Sequence, residues 1–216
     1  MRGVAKHTDM EPFVRLEGVA APMFRDSIDT DAIIPVSRMK ALDADYGEGL
    51  FANLRYRADG SEDPEFVLNR PPYRHASILV AGANFGCGSS REQAVWALLK
   101  FGIRCVIAGG FGDIFHGNCF RAGLLPVALP LDSCRDLARA AAGAPGSTMT
   151  VDLAACRVIA PGGDEHVFEI DALRRRRLLE GLDELGATLL LAGEIAAFQA
   201  RDRLRRPWIH ELSETP

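Results

Sequence analysis

The chain has 216 residues, of which 48% are hydrophobic and 25% charged, with 29 acidic against 25 basic side chains. A chain of this length can bury roughly 70% of the surface that its unfolded form exposes, so a single domain needs neither disulfides nor metals for stability. Its net charge of −4 provides no general attraction to nucleic acid or to anionic membrane surfaces.

Five cysteines lie far apart in the sequence, at Cys87, Cys105, Cys119, Cys134 and Cys156. None of them forms a CxxC pair, so neither a zinc ribbon nor an iron–sulfur site of ordinary spacing is predicted. The first residues lack the apolar segment of a secretory signal, and the longest apolar run near the C-terminus is far too short to span a membrane. We therefore expect free thiols in a cytoplasmic protein.

The first third of the chain is predicted to contain little regular structure. The first nine residues are polar, and residues 1–10 are predicted to form a flexible tail. Residues 11–216 are predicted to form a single domain. Residues 13–24 are predicted to form a pair of strands, because Pro22 argues against a helix. Acidic patches and turn residues then indicate long loops with short elements, and we expect a substrate-side loop region at about 36–72.

Regular structure is predicted to resume at residue 77. A strand at 77–81, a helix at 90–101, a strand at 103–108, a helix at 113–121 and a strand at 124–129 follow one another. This alternation predicts parallel strands joined by right-handed crossovers.

The last third is predicted to change to antiparallel pairing. Strands are expected at 148–153, 157–160 and 166–170, followed by a helix that Asp171 caps and a second helix at 192–203. The fold class is therefore mixed α/β with one layered core.

A glycine-rich loop, residues 82–92 (GANFGCGSSRE), leads from a predicted strand into a predicted helix. Such a junction attracts anions, because free backbone N–H groups and the positive end of the helix dipole meet there. The loop has no Walker A lysine, and Arg91 stands where a dinucleotide fingerprint needs its third glycine. An arginine at this position indicates a small anionic ligand, since it can clamp a carboxylate with two parallel hydrogen bonds.

A purely structural interpretation of the loop is a capping box. Ser89 and Glu92 fit the S-x-x-E pattern, which stabilises the start of a helix without any function. This interpretation leaves Ser90, Arg91 and the three glycines unexplained.

Several separated motifs resemble one known family over nearly the whole chain. They are residues 84–94 (NFGCGSSREQA) with 96–98 (WAL), 29–35 (DTDAIIP), 66–69 (FVLN), 112–118 (GDIFHGN), 124–127 (LLPV), 168–171 (FEID) and 181–186 (GLDELG). In this order they resemble the small subunits of 3-isopropylmalate dehydratase, members of the aconitase swivel-domain family. The resemblance implies an aconitase-like swivelling β/β/α domain, with a mixed sheet and flanking helices.

The resemblance also implies an activity and a partner. Such enzymes interconvert 2-isopropylmalate and 3-isopropylmalate by dehydration and rehydration, in leucine biosynthesis. The chain is expected to be active only with a large subunit, which would hold a four-iron, four-sulfur (4Fe-4S) cluster. This chain itself is expected to bind no cofactor, nucleic acid or membrane.

Site residues are carried over from the family's pattern position by position. Ser89 would be the base that removes the proton next to a carboxylate, Ser90 would hydrogen-bond the substrate, and Arg91 would hold a carboxylate. Gly86 and Gly88 would belong to the substrate-binding loop. A serine base needs fixed donors and positive charge around it, because its hydroxyl is a very weak acid in water.

Other candidate residues have two possible roles each. Asp29 and Asp31 would lie at the edge of the site and orient Arg91, or else cap a turn or a helix. His116 is expected to be a partly buried structural histidine rather than a base. Arg174–Arg177 are expected to form a solvated helix face, or else to contact an acidic surface of the large subunit.

Two positions depart from the family's pattern. Gln93 stands where the pattern has a histidine, and Asp43 stands where the longer bacterial form has a substrate-reading arginine. Arg38 or Lys40 could supply the missing cation through a different path of the loop. Two alternatives therefore stay open: a related hydratase acting on another malate-type acid such as methylmalate or citraconate, and a non-catalytic anion-binding or interaction domain.

Overall fold

The computed structural model describes residues 10–39 and 45–210. The predicted tail up to residue 9 lies outside the described residues. Strands and helices follow in this order: β1 (Arg15–Met23), α1 (Thr30–Ile33), α2 (Tyr46–Gly49), α3 (Ala52–Arg55), β2 (Ile78–Ala81), α4 (Glu92–Phe101), β3 (Cys105–Ala108), α5 (Asp113–Ala122), β4 (Leu125–Ala128), α6 (Leu131–Gly143), β5 (Thr148–Asp152), β6 (Arg157–Ile159), β7 (Glu165–Val167), α7 (Ala172–Glu180), α8 (Glu184–Leu189), α9 (Ala192–Arg205) and α10 (Pro207–His210).

The strands form a seven-stranded mixed sheet in the order β4-β3-β2-β1-β5-β6-β7. One half is parallel, as the strand–helix alternation predicted, with β1, β2, β3 and β4 paired in turn. The other half is antiparallel, and β5, β6 and β7 are the three predicted strands of the last third. The predicted mixed sheet with flanking helices is confirmed.

The prediction of two strands between residues 13 and 24 is wrong, because this stretch is the single strand β1. Its first half pairs antiparallel with β5, and its second half, from Ala20 to Met23, pairs parallel with β2. One long strand therefore joins the two halves of the sheet. Pro22 is accommodated inside β1, opposite Val80.

Helix α6 was not predicted, although its pattern is present in the sequence. Cys134, Leu137, Ala138 and Ala141 are its buried residues. They follow the spacing i, i+3, i+4 and i+7, which places them on one face of a helix. This face covers the sheet beside β1 and β2.

Both faces of the sheet are covered. Ile78 and Val80 of β2 pack into one hydrophobic cluster, whereas Leu79 and Ala81 pack into the other. Successive side chains of a strand point to opposite faces, so a strand buried on both sides must be apolar throughout. This accounts for the uninterrupted apolar run of β2, in which all four residues are buried.

The region between residues 45 and 73 consists of short helices and turns, as the sequence predicted. Arg55 is buried at its centre. Its Nη1 donates to the carbonyls of Gly47 (3.0 Å) and Leu50 (3.4 Å), and its Nε donates to Asn69 Oδ1 (3.3 Å). Asn69, from the predicted FVLN motif, returns a bond from Nδ2 to the carbonyl of Arg55 (2.7 Å). These hydrogen bonds hold the short elements together.

The two ends of the described chain differ in burial. Met10, which was assigned to the tail, is buried together with Phe13. At the other end, none of the fourteen residues of α9 is buried. Among the described residues, no helix is long and apolar enough to cross a membrane.

Candidate functional site

Residues 27–30 run alongside the glycine loop and are hydrogen-bonded to it. The N–H of Ser27 donates to the carbonyl of Ala83 (2.8 Å), and the N–H of Thr30 donates to that of Cys87 (2.9 Å). Residues Asp29 and Cys87 form a parallel bridge. The DTDAIIP motif and the glycine loop are therefore neighbours in space.

The other side of the loop packs against the start of α5. Phe85 exchanges backbone hydrogen bonds with Gly110 and Gly112, both at 2.9 Å. A Cβ at Gly86 would lie 2.2 Å from Cγ of Phe115, and the φ of Gly86 is 71°. Glycine is therefore required at position 86 both by backbone conformation and by the close approach of the Phe115 ring.

The structure contradicts the capping-box interpretation of Ser89. Helix α4 begins at Glu92, its N-cap residue is Arg91, and no side chain caps it. The described hydrogen bond of Ser89 uses its backbone, since its carbonyl accepts from the buried hydroxyl of Thr30 (2.8 Å). The side chains of Ser89 and Ser90 are exposed, and no hydrogen bond within the described part of the chain involves either hydroxyl.

Arg91 is held in place by residues of the DTDAIIP motif. Its Nη1 lies 2.5 Å from Asp31 Oδ1 and donates to the carbonyl of Ile34 (3.2 Å). The Arg91 side chain is only 13% exposed, whereas that of Asp31 is 57% exposed. Both contacts use Nη1, and within the described residues no hydrogen bond of Nε or Nη2 is found.

The two aspartates make different contacts. Asp31 contacts Arg91, as its predicted orienting role requires. Asp29 instead accepts a hydrogen bond from the N–H of Ala32 (2.7 Å) and caps α1. The capping alternative therefore describes the contact of the Asp29 carboxylate, and the Asp29 backbone bridges to Cys87 of the glycine loop.

The end of the glycine loop, Gly88–Ser90, is exposed at the surface. A cleft of about 820 Å³ is present in the molecule, but the end of β1, residues 65–73 and α6 line it, and Ser89, Ser90 and Arg91 do not. The two exposed serines and Arg91 therefore lie outside this cleft.

Known proteins match the chain over nearly its full length. The small subunit of 3-isopropylmalate dehydratase from Cupriavidus necator is 57% identical over 205 residues, which cover 93% of this chain and 99% of that protein. The chain belongs to the 3-isopropylmalate dehydratase small-subunit family.

Further comparisons agree with this family. The small subunit from Azorhizobium caulinodans is 49% identical and is covered completely. The family model for the aconitase C-terminal domain matches residues 10–132, and the model described as LeuD_N matches residues 135–172. A crystal structure of 3-isopropylmalate dehydratase (leuD) from Methanocaldococcus jannaschii has a TM-score of 0.61 and 28% identity, covering 88% of this chain and 99% of that one. The predicted family, swivel-domain fold and hydro-lyase class are confirmed.

His116 of the family's GDIFHGN motif is half buried, as predicted. Its ring stacks on Phe111 with the centroids 5.6 Å apart, and meets the edge of Phe120 at 5.1 Å. Burial lowers the pKa of His116 below its usual value, the nearby Arg174 lowers it further, and Asp113 opposes them. The imidazole is therefore held in its neutral form.

The predicted solvated face at Arg174–Arg177 holds for Arg174 and Arg176, which are exposed, whereas Arg175 and Arg177 are partly buried. Arg174 lies over the ring of Phe120, at 4.9 Å from its centroid. Arg175 donates to the carbonyls of Leu153 (3.2 Å) and Ala154 (2.5 Å), and Arg177 donates to that of Leu182 (3.5 Å). These contacts fasten α7 to neighbouring segments, whereas Arg176 pairs within the helix with Glu180 (2.9 Å).

The positions that depart from the family pattern are only partly described. Asp43 and Lys40 lie outside the described residues. Arg38 ends the short 3-10 helix Val36–Arg38, and its guanidinium lies 5.8 Å from the ring centroid of Tyr56. Gln93 is partly buried in the first turn of α4.

The cysteines of the chain do not fit a metal cluster. All five are free, and Cys105, Cys119 and Cys134 are buried. Burial raises the pKa of the Cys105 and Cys119 thiols and raises that of Cys134 to about 11, which disfavours the thiolate that a metal needs. No group of three or more potential ligands is gathered anywhere in the described ranges.

Proposed function

We propose that this chain is the small subunit of a two-chain hydro-lyase that interconverts 2-isopropylmalate and 3-isopropylmalate in leucine biosynthesis, in the cytoplasm. The observation that carries the proposal is the Ser89–Ser90–Arg91 run. Its backbone is fixed by Thr30 and its guanidinium by Asp31, while both hydroxyls remain free at an uncapped helix start. A large subunit would supply the opposite wall of this open site.

Arg91 binds a substrate carboxylate in this proposal. Asp31 and Ile34 hold Nη1, so the Nε and Nη2 edge is presented in a fixed orientation. A guanidinium fixed in this way can form two parallel hydrogen bonds to a carboxylate, which a lysine cannot. The low exposure of Arg91 strengthens this interaction, because less water competes for the charge.

Ser89 acts as the base and Ser90 as a substrate hydrogen-bonding group. In the dehydration direction, the proton on the carbon next to the bound carboxylate passes to Ser89 Oγ in its alkoxide form, which becomes the hydroxyl. The C–O bond on the adjacent carbon breaks as the alkene forms, and the hydroxyl would leave on the side of the large subunit. An alkoxide at Ser89 is stabilised by the Arg91 charge and by the N–H groups at the start of α4, where no side chain competes for them. Gly86 and Gly88, both with positive φ, give the loop the path that brings the serines to this helix start.

We assign the 4Fe-4S cluster to the large subunit, because the donor set of this chain does not fit it. Three of the five thiols, those of Cys105, Cys119 and Cys134, are buried in the core, and within the described residues no three potential ligands lie together. The chain's own contribution is therefore limited to binding, orientation and proton transfer.

Co-expression with a large subunit, followed by reconstitution of the cluster, tests the function. We expect the complex to convert isopropylmalate and the isolated chain to be inactive. Activity of the isolated chain would contradict the two-chain site. Faster turnover of methylmalate than of isopropylmalate would favour the related hydratase, and an inactive but assembled complex would favour an anion-binding domain.

The role of Ser89 is tested by Ser89→Ala in the complex. Loss of a positioned base lowers kcat by about 10²–10⁴-fold. Because the side chain is exposed, the unfolding temperature of the isolated variant should equal that of the wild type. Full activity of this variant would rule out the base assignment.

A further inference from the structure

The C-terminal arm, which we define as residues 184–210 (α8, α9 and α10), is unusually apolar for an exposed segment. Nine of its large hydrophobic side chains are exposed: Leu185, Leu189, Leu190, Leu191, Ile195, Phe198, Leu204, Trp208 and Ile209. The proposed function uses none of them.

Part of this surface is a helical stripe along α9. Leu191, Ile195 and Phe198 follow the spacing i, i+4 and i+7, which places them on one helix face. They are 49%, 38% and 56% exposed, and no residue of α9 is buried. A stripe of this kind is usually the side of a helix that packs against another surface.

The exposed apolar area of the arm is a large share of what a stable interface requires. Nine large apolar residues at about half exposure present a summed area on the order of several hundred Å². A standard interface buries about 800 Å² on each partner, so the arm can contribute a large share of one.

The start of the arm lies beside the candidate site. Arg121 Nε contacts Glu184 Oε1 of α8 (3.2 Å), and Arg121 Nη1 lies 4.0 Å from Glu92 Oε1. Glu92 is the first residue of α4 and follows Arg91 directly. A partner that covers the Ser89–Arg91 loop would therefore lie near the start of the arm at Glu184.

Charge favours a different chain over a second copy of this one. Residues 201–206 contain four arginines, Arg201, Arg203, Arg205 and Arg206, against the single acid Asp202, which pairs with Arg206 at 2.5 Å. A symmetric dimer through this patch would bring the two basic segments close to each other, which costs energy. An acidic partner surface would instead be attracted.

We propose that the C-terminal arm docks on the large subunit, with the Leu191–Ile195–Phe198 stripe in an apolar groove that carboxylates border. The inference rests on the proposed function, since that function supplies the partner. Docking by the arm holds the large subunit over the Ser89–Arg91 loop and closes the site.

The test measures the affinity of the full-length chain for the isolated large subunit. Ile195→Glu combined with Phe198→Glu should weaken binding by 100-fold or more. The matched control, Ala197→Glu combined with Ala200→Glu, adds the same two charges to the opposite face of α9 and should change binding by less than threefold. Binding of the wild type should weaken with added salt, because the arginines contribute.

Several outcomes decide the matter. Wild-type affinity of the stripe variant would overturn the docking proposal, and so would a wild-type homodimer that only the stripe variant dissociates. An unchanged unfolding temperature of the stripe variant shows that lost binding is not lost folding. If the wild-type chain does not bind the large subunit at all, the proposed function fails. This result differs from wild-type affinity of the stripe variant, which overturns only the docking proposal.

Discussion

Arg91 Nη1 and Asp31 Oδ1 lie 2.5 Å apart, and this pair joins the glycine loop to the DTDAIIP motif. The two residues are unequal partners. Arg91 is largely buried, whereas more than half of the Asp31 side chain is exposed. Asp31 is therefore suited to orient the guanidinium without withdrawing it from a ligand.

Asp31→Ala should raise the KM for isopropylmalate about tenfold in the reconstituted complex, with a smaller change in kcat. We expect the higher KM because the variant lacks the carboxylate that holds Nη1 of Arg91. Asp31→Asn keeps an oxygen acceptor at this position and should raise KM less than Asp31→Ala does. Asp29→Ala is the control, because Asp29 caps α1: it should lower the free energy of unfolding by about 1 kcal/mol and leave KM unchanged. Equal KM values for Asp31→Ala and wild type would exclude the orienting role.

Gly86→Ala should lower the free energy of unfolding by about 2–4 kcal/mol, because the new Cβ combines a positive φ with a clash against Phe115. Gly60→Ala is the matched control. Gly60 has a φ of 84° but no atom within 4 Å of its added Cβ, so only the conformational cost of about 1 kcal/mol remains. Urea unfolding measures the free energy of unfolding of both variants. Equal losses would show that the clash with Phe115 adds nothing to the cost of the positive φ.

Arg55→Met should destabilise the chain by about 2–4 kcal/mol, since it leaves the carbonyls of Gly47 and Leu50 and the Asn69 side chain without their donor. Arg57→Met removes an exposed arginine two positions away, whose ion pair with Asp63 is 3.6 Å long. It should cost less than about 1 kcal/mol. If denaturant unfolding gave the same small loss for both variants, Arg55 would not hold this region together.

Acid should destabilise the wild type partly through His116. Its folded-state pKa is lowered by burial and by Arg174, so the unfolded chain binds the proton more readily. Stability is therefore unaffected by this group well above pH 6.5 and falls as the pH decreases below that value. His116→Gln should lose less stability than the wild type between pH 7.5 and 5.5, as measured by urea unfolding. A parallel loss in both proteins would contradict the neutral, buried imidazole.

Local pattern was sufficient for much of the fold. Strands such as β2 are continuous apolar runs, and α4 has its apolar residues on one face, so their types follow from neighbouring residues alone. The glycine loop and its serines could also be predicted from the sequence, because an anion site requires these residue types within a short run. Helix α6 was missed although the same kind of signal was present.

Other features depend on segments that are far apart in the chain. The sequence left Asp29 and Asp31 with the same two possible roles, and only the approach of residues 27–34 to the glycine loop shows that their carboxylates make different contacts. The capping box failed for a similar reason, since Thr30 holds the Ser89 carbonyl and α4 begins later. Arg55 has no local signature at all among so many arginines.

The order of most strands and helices could be predicted from the sequence alone, because each forms through contacts within a few residues. The sequence also contained the Ser89–Ser90–Arg91 run, whose residue types can be read without any contact. The joining of two half-sheets by β1, the orientation of Arg91 and the exposure of the C-terminal arm were decided only by the tertiary structure. Each depends on which distant segment lies opposite a residue, and no local pattern contains that information.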